Sequence, residues 1–449
     1  MSTNMSKTNI LTVILVLMGL FMTTFERGKA DDAIKIDKII KTEIIDSVTA
    51  KVNEIYIFPD VAQKLEKQLK DNLKKGAYDK FNELQPFVEQ LKTEFYEIGN
   101  DRHLRIFSLS DEFCKRFKSD QEAKDYYENN LGEELTDSHG FQRVDILDGN
   151  IGYIDLRDFL VTKNEYNVAA AAMTLLSGCD AVIIDLRKNG GGDADAVAFL
   201  ASYFFKERTR LNDAYIRKTD SVEQYWSFPV PGAEPFYDKD LYVITGYATF
   251  SAAEDFAYAM QANKRATIIG ERTRGGGHPI EMFFFLDLHV SLDIPNAYSV
   301  NSITGTGWEG VGIIPDYEVP FEKSLDFAYL KALEKLKSKT DDEKELSKID
   351  WAMTGFNARN NPVAVDIITL LKYAGAYGER AIILKDNHIF YQRNDKSTFM
   401  LYPMTETLFG FRDWDDARIE FIKDDFGRVI EFNTLSPDGG RSVCKRTED

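Results

Sequence analysis

The stretch Leu241-Tyr242-Val243-Ile244-Thr245-Gly246-Tyr247-Ala248-Thr249-Phe250-Ser251-Ala252-Ala253-Glu254 decides how this chain is read. Leu241 to Thr245 is a short apolar run of the kind that forms an interior strand, and Ala252 to Ala262 has the composition and apolar spacing of a helix. Ser251 falls on the junction. A hydroxyl at a helix N-terminus meets free N–H groups and the positive end of the macrodipole, which favour developing negative charge. The position suits a nucleophile. It equally suits a plain structural role, because Ser251-x-x-Glu254 is a capping box.

Two further junctions flank this one. Upstream runs Asp180-Ala181-Val182-Ile183-Ile184-Asp185-Leu186-Arg187-Lys188-Asn189-Gly190-Gly191-Gly192-Asp193. Downstream runs Arg265-Ala266-Thr267-Ile268-Ile269-Gly270-Glu271-Arg272-Thr273-Arg274-Gly275-Gly276-Gly277-His278-Pro279. Each reads as a strand ending in three glycines, the composition required where backbone approaches a ligand closely or takes positive φ. A plain turn is the bland alternative. A nucleotide-phosphate loop is disfavoured, since neither stretch has a Gly-Lys-Ser/Thr ending or the G-x-G-x-x-G spacing.

Together the Asp-Leu-Arg-x-Asn-Gly-Gly-Gly, Phe-Ser-Ala-Ala-Glu and Ile-Gly-Glu-x-Thr-x-Gly-Gly-Gly blocks resemble those of the tail-specific (C-terminal processing) serine peptidases. The branch they resemble most is that of the tricorn core protease and the interphotoreceptor retinoid-binding protein. The resemblance runs from about Lys35 to Pro320 and is strongest over 150–316. It implies an α/β fold, a spiral of β-β-α units of the crotonase/Clp-like kind, and a serine peptidase activity without metal or organic cofactor.

The same resemblance distributes roles. A serine needs a base, and His103, His139, His278, His289 and His388 are the available histidines. Asn100-Asp101-Arg102-His103-Leu104-Arg105 resembles the family's Asp-x-His-Leu motif and singles out His103, with His278 as runner-up. The better-known branch uses a lysine base, whose position falls on Gly276 here, so a serine–lysine dyad is absent. Imidazole needs an acceptor to orient it. Trp308-Glu309-Gly310-Val311-Gly312-Ile313-Ile314-Pro315-Asp316 resembles the block that supplies this acid, which makes Glu309 the candidate to orient His103. Where the tricorn-like site has a serine before its histidine, this chain has Arg102, which puts a fourth relay member in doubt. The N–H groups of Gly191 and Ala252 are the matching oxyanion-hole candidates, and Asp185 with Arg187 reads as a structural pair.

The rest of the chain fits an exported enzyme. Residues 1–30 place Lys7 before the apolar run Ile10 to Met22, then Gly28-Lys29-Ala30, the order of a secretory signal cleaved near Asp31. That points to the periplasm or the outside of the cell; the apolar run is short for a membrane anchor. The full chain carries a net charge of −18, and without residues 1–30, which hold three basic residues and one acidic, −20. Such a surface repels nucleic acid and anionic membranes. Cys114, Cys179 and Cys444 show no metal-ligand spacing, and an odd count leaves at least one thiol unpaired within the monomer.

The length exceeds one hydrophobic core. Helical spacing of Ile39, Ile40, Ile44, Ile45, Val48, Val61, Leu65 and Leu69 predicts an N-terminal helical domain over 31–95. The peptidase core is expected over 96–335, a charged linker over 336–362, and an antiparallel β domain over 363–449, where short strands alternate with turns such as Lys385-Asp386-Asn387. No glycine-hydrophobic PDZ signature separates helical region from core, so a preference for free C-termini is open. The expected activity is a serine endopeptidase acting on peptides or unfolded proteins. The rival is a carrier of an apolar ligand, with Met282-Phe283-Phe284-Phe285-Leu286 lining its cavity; an interaction scaffold with a relic site is a third reading.

Overall fold

The computed structural model describes residues 34–135, 140–160, 163–394 and 397–447. The segment expected to be a signal and His139 lie outside these residues. The chain divides into two units, one formed by residues 1–146 with 152–328, the other by 147–151 with 329–449.

In the first unit a six-stranded sheet runs in the order Tyr317–Glu318, Ala266–Gly270, Asp240–Thr245, Ala181–Asp185, Ile151–Leu156, Phe141–Leu147. Its central pairs are parallel: Asp185 lies opposite Ile244, and Thr245 opposite Gly270. Parallel strands covered on both faces read as unbroken apolar runs, and Ala181–Asp185 is buried at every position. The helices Lys163–Leu176, Ala194–Ser202 and Ala252–Ala262 follow their strands and pack Met173, Leu200, Phe256 and Met260 against Val182, Ile184 and Ile268. The registers bring three parallel strands to a common C-terminal edge. Both triple-glycine loops and the Ser251 junction leave from that edge, where open α/β sheets bind their ligands.

The N-terminal helices Lys38–Ile55, Pro59–Lys74 and Leu84–Gly99 form as expected, the first capped by Asp37, whose side chain accepts from the Ile40 N–H. They do not close a core of their own. Ile44, Val48, Val52, Leu69, Phe87 and Phe95 share one with Ile106 of Arg105–Ser108 and with Val290, Leu292 and Ile294 of Val290–Pro295. The apolar stripes were legible in the sequence, but not that a core strand would complete them.

In the second unit, the stretch expected as a linker over 336–362 is mostly the helix Glu343–Asn360, with Ile349, Ala352 and Ala358 buried. Its many charges mark the helix's solvated face. Beyond the helix Ile367–Tyr373, eight strands follow one another in an antiparallel sheet, from Gly375–Tyr377 to Arg441–Lys445, around Tyr373, Tyr377, Phe409, Phe421 and Phe432. Asp386 and Asn387 both take positive φ, at 51° and 62°, as a two-residue hairpin turn requires. After the last strand the Thr447 N–H donates to Ala376 O of the first at 3.0 Å, so the sheet returns toward its start like a barrel. No helix among the described residues is long and apolar enough to cross a membrane.

Candidate active site

Ser251 stands on a backbone that few side chains accept, with φ 55° and ψ −121°. Strain of this kind persists only where surrounding contacts impose it, and it concentrates at functional sites. Those contacts are visible. The Thr249 hydroxyl donates to Leu186 O at 2.6 Å and accepts from the Gly246 N–H, while the Phe250 N–H donates to Asn189 O. The Ser251 N–H itself donates to Glu254 Oε2 at 2.9 Å. The first glycine loop and the helix start thus hold the serine from two sides.

The first glycine loop touches the serine directly. Gly191 has φ +118°, and a Cβ there would sit 2.8 Å from Ser251 Cβ and 3.2 Å from Ala252 N. A Cβ on Gly192 would lie 1.7 Å from Phe159 O. Only glycine fits at either position. As an oxyanion donor, however, Gly191 is not open as expected: its N–H donates to Asn189 Oδ1 at 2.8 Å. The Ala252 N–H precedes the helix's own hydrogen bonds and has no acceptor among the described residues.

His103 arrives from the opposite side, on the short segment between the helix Leu84–Gly99 and the strand Arg105–Ser108. Asn100, left-handed at φ 48°, ends the helix and turns the chain toward the serine. His103 Nε2 lies 3.1 Å from Ser251 Oγ. The ring is buried and stacks on Phe250 with centroids 4.6 Å apart. Burial, reinforced by the Arg105 charge and opposed by Asp101, pushes the imidazole down to about 3, so it rests neutral. Neutral is the state in which Nε2 can take a proton from a hydroxyl.

Glu309 makes no hydrogen bond to the His103 ring, contrary to the expectation that it orients the imidazole directly. It accepts from the Gly277 N–H at 2.5 Å and lies 3.6 Å from His278 Nδ1. His103 Nδ1 is buried without a hydrogen-bond partner among the described residues. The carboxylate that holds His103 is Asp101: one oxygen accepts from the His103 backbone N–H at 2.9 Å, the other from His278 Nδ1 at 2.7 Å and from the Tyr56 hydroxyl at 3.1 Å. Burial alone would raise Asp101, but its bond to His278 leaves it below the ordinary carboxylate range. Burial would lower His278, and Asp101 more than reverses that. Glu309 is pushed by burial up to about 7, though His278 opposes the shift.

The third loop is fastened by Glu254, which the sequence showed only as half of a capping box. Its buried carboxylate accepts from Ser251, Thr273, Gly275 (2.7 Å) and Gly276 (2.8 Å). One acid therefore ties the nucleophile's backbone to the loop that packs on His103. Burial raises it, and these four donors pull it back. Gly276, where the lysine of the other branch would stand, has no room for any side chain: a Cβ would lie 2.2 Å from Phe250 and 2.7 Å from His103 Cε1. The histidine and phenylalanine rings fill the place.

The remaining candidates fall elsewhere. His289 faces Asp111 and His388 is exposed in the second unit. Arg102 is exposed over Tyr96, so it supplies no relay hydroxyl. Asp185 and Arg187 form the expected structural pair. Asp101, His278 and Glu309 bring one ligand atom each within 4.8 Å of one another, donors of a kind that suits a divalent ion, but the His278–Asp101 hydrogen bond already uses two of them.

Residues 150–319 match Peptidase family S41, and residues 29–139 match the N-terminal domain of Peptidase_S41 in eukaryotic IRBP. Across these two stretches the chain matches the S41, or tail-specific, peptidase family. Among curated relatives, the carboxyl-terminal-processing protease of Synechocystis is 36% identical over 187 residues, 40% of each chain. The tail-specific protease of Haemophilus influenzae is 33% identical over 135 residues, 28% of this chain and 18% of that one. The match thus spans less than half the length of these relatives. Among solved structures, the photosystem II D1 C-terminal processing protease aligns at a TM-score of 0.41 and 14% identity, over 62% of this chain and 93% of that one. The tricorn protease aligns at 0.45 and 13%, over 67% and 37%.

Proposed function

We propose that this protein is an exported serine endopeptidase that cleaves peptides or unfolded proteins. The observation that carries the reading is the 3.1 Å contact between His103 Nε2 and Ser251 Oγ, on a serine with strained backbone at the edge of a parallel sheet. Ser251 Oγ attacks the peptide carbonyl as its proton passes to His103 Nε2. The tetrahedral intermediate collapses when His103 returns that proton to the leaving amine. Water, deprotonated by the same imidazole, then hydrolyses the acyl-enzyme.

The Ala252 N–H meets the oxyanion, and the Gly191 N–H joins it once the Asn189 carboxamide yields. Each such donor is worth about 10²–10³ in rate. Glu309 acts at one remove, through His278 and Asp101, as a positioning residue for His103. Residues 1–30 direct export, so the mature chain begins within a few residues of Asp31. The carrier reading loses its support, since Phe284 stacks on Phe113 at 5.8 Å and Phe283 packs into the helical core.

Cleavage of a peptide library, with Ser251→Ala as blank, tests the proposal. Serine-dependent cleavage is expected. Its absence, with saturable binding of an apolar ligand, would return the case to the carrier.

A further inference from the structure

Arg274 is a partly buried cation beside the nucleophile with no ion-pair partner among the described residues. Its guanidinium carbon lies 4.5 Å from the centre of the Phe250 ring and 6.0 Å from that of Tyr247, so the loop leading to Ser251 wraps around it. Its one hydrogen bond among the described residues is a long contact of 3.5 Å from Nη2 to Ala248 O. Nε is buried without a partner, and no ion pair involves Arg274 among the described residues. Arg187, Arg157 and Arg210 pair with Asp185, Asp155 and Asp213, and Arg265 and Arg418, which have no carboxylate partner among the described residues, donate to backbone carbonyls at 2.7 Å; Arg274 has neither kind of partner at such a distance. Glu254, the acid whose charge acts on it, already serves four donors.

Burial lowers the Arg274 guanidinium; Glu254 and Tyr247 oppose that, and Arg102 and Arg105 add to it. Arg105 is paired with Asp293, whereas Arg102 has no carboxylate partner among the described residues. The acids at the site are engaged elsewhere, Asp101 with His103, His278 and Tyr56, Glu309 with Gly277, and Glu254 with its four donors, so none of them is bonded to Arg274. A guanidinium offers donors in a planar fork that fits a carboxylate through two parallel hydrogen bonds.

We infer that Arg274 binds a carboxylate of the substrate close to the scissile bond, and so gives the site a preference for an acidic group at one fixed position. This rests on the peptidase reading above. The carboxylate has two possible sources, an Asp or Glu side chain or the substrate's own C-terminus. Arg274 is the specificity determinant in either case, and Phe250 and the Ala248 carbonyl hold it in place.

The test is a set of fluorogenic peptides with Asp or Asn, and Glu or Gln, scanned across the positions flanking the cleaved bond. Each is made with a free and with an amidated C-terminus. The readout is the ratio of kcat/KM for each acidic peptide over its isosteric neutral partner. The full-length enzyme should show a ratio of about 10 to 100 at one position, the range a charge-assisted hydrogen bond supports. Arg274→Gln should bring that ratio to about one, and Arg274→Lys, which keeps the charge but not the fork, to between the two. A ratio that persists when the terminus is amidated assigns the carboxylate to a side chain; one that vanishes assigns it to the C-terminus. No acidic preference in the wild-type enzyme, or a preference untouched by both substitutions, overturns the inference. Labelling of Ser251 with a small fluorophosphonate, which carries no carboxylate, separates the two levels. Labelling without acidic preference removes only the role of Arg274, whereas an enzyme that never labels removes the peptidase reading itself.

Discussion

Gly276→Ala adds one methyl group at the point where the histidine and phenylalanine rings meet the third loop. The new Cβ would lie 2.2 and 2.4 Å from two carbons of Phe250 and 2.7 Å from His103 Cε1. Carbon atoms pack comfortably at about 3.5–4.0 Å, so the rings must retreat by about 1 Å. Gly276 does not have positive φ, so the penalty is steric and carries no backbone component. Overpacking of this size costs about 1–3 kcal/mol of stability. A displacement of about 1 Å in a reacting group costs about 10²-fold in rate. The variant should therefore fold with a lowered urea midpoint and label with fluorophosphonate about a hundred times more slowly than wild type. Gly277→Ala is the graded companion: its Cβ meets nothing closer than the Glu309 nitrogen at 3.1 Å, and its loss should be far smaller. A Gly276→Ala enzyme that folds and labels at the wild-type rate would show that His103 does not act from this position.

Two other perturbations address the first glycine loop and the acid network. Gly190→Ala should be nearly silent, because no atom lies within 4 Å of its Cβ position, whereas Gly191→Ala drives a methyl to 2.8 Å from Ser251 Cβ at a positive φ and should abolish labelling; equal effects in the two variants would remove Gly191 from the site. The pH profile separates Glu309 from His103. With His103 held neutral down to about 3, kcat/KM should not fall because that ring gains a proton near pH 6. A rise through about 7 is expected instead as Glu309 loses its proton, becomes an anion and braces His278 on Asp101. Glu309→Gln should flatten that step; a step that survives would belong to a histidine of ordinary pKa, near about 6.5.

Much of this site is legible in the sequence. Ser251 and the two triple-glycine loops stand out by local composition, and the resemblance of the Asp-x-His segment to the family motif singles out His103. What escaped the sequence depends on how distant loops meet. Glu309 reaches Gly277 and His278 rather than His103 because the 308–312 turn is bonded to the third loop, through Trp308 Nε1 to Gly276 O and the Gly310 N–H to Gly275 O. No spacing along the chain encodes that pairing. Glu254 was visible as a cap, but its bonds to Gly275 and Gly276 form only when two strand ends come side by side. Asn189 occupies the Gly191 N–H through a side chain two residues away, a local Asx turn that the Asn-Gly-Gly-Gly run permits but does not require. The N-terminal helices are legible from their amphipathic stripes, but such stripes say which face is buried, not that strands Arg105–Ser108 and Val290–Pro295 help to bury it.

The central claim is that Ser251 is a nucleophile activated by His103. Mass-spectrometric mapping of a fluorophosphonate adduct, with its rate of formation in wild type and His103→Ala, tests it most directly. A single adduct on Ser251 is expected, formed at a rate that falls by orders of magnitude without the imidazole, while the variant stays folded. An adduct on another residue, or one that forms on Ser251 equally fast without His103, would contradict it.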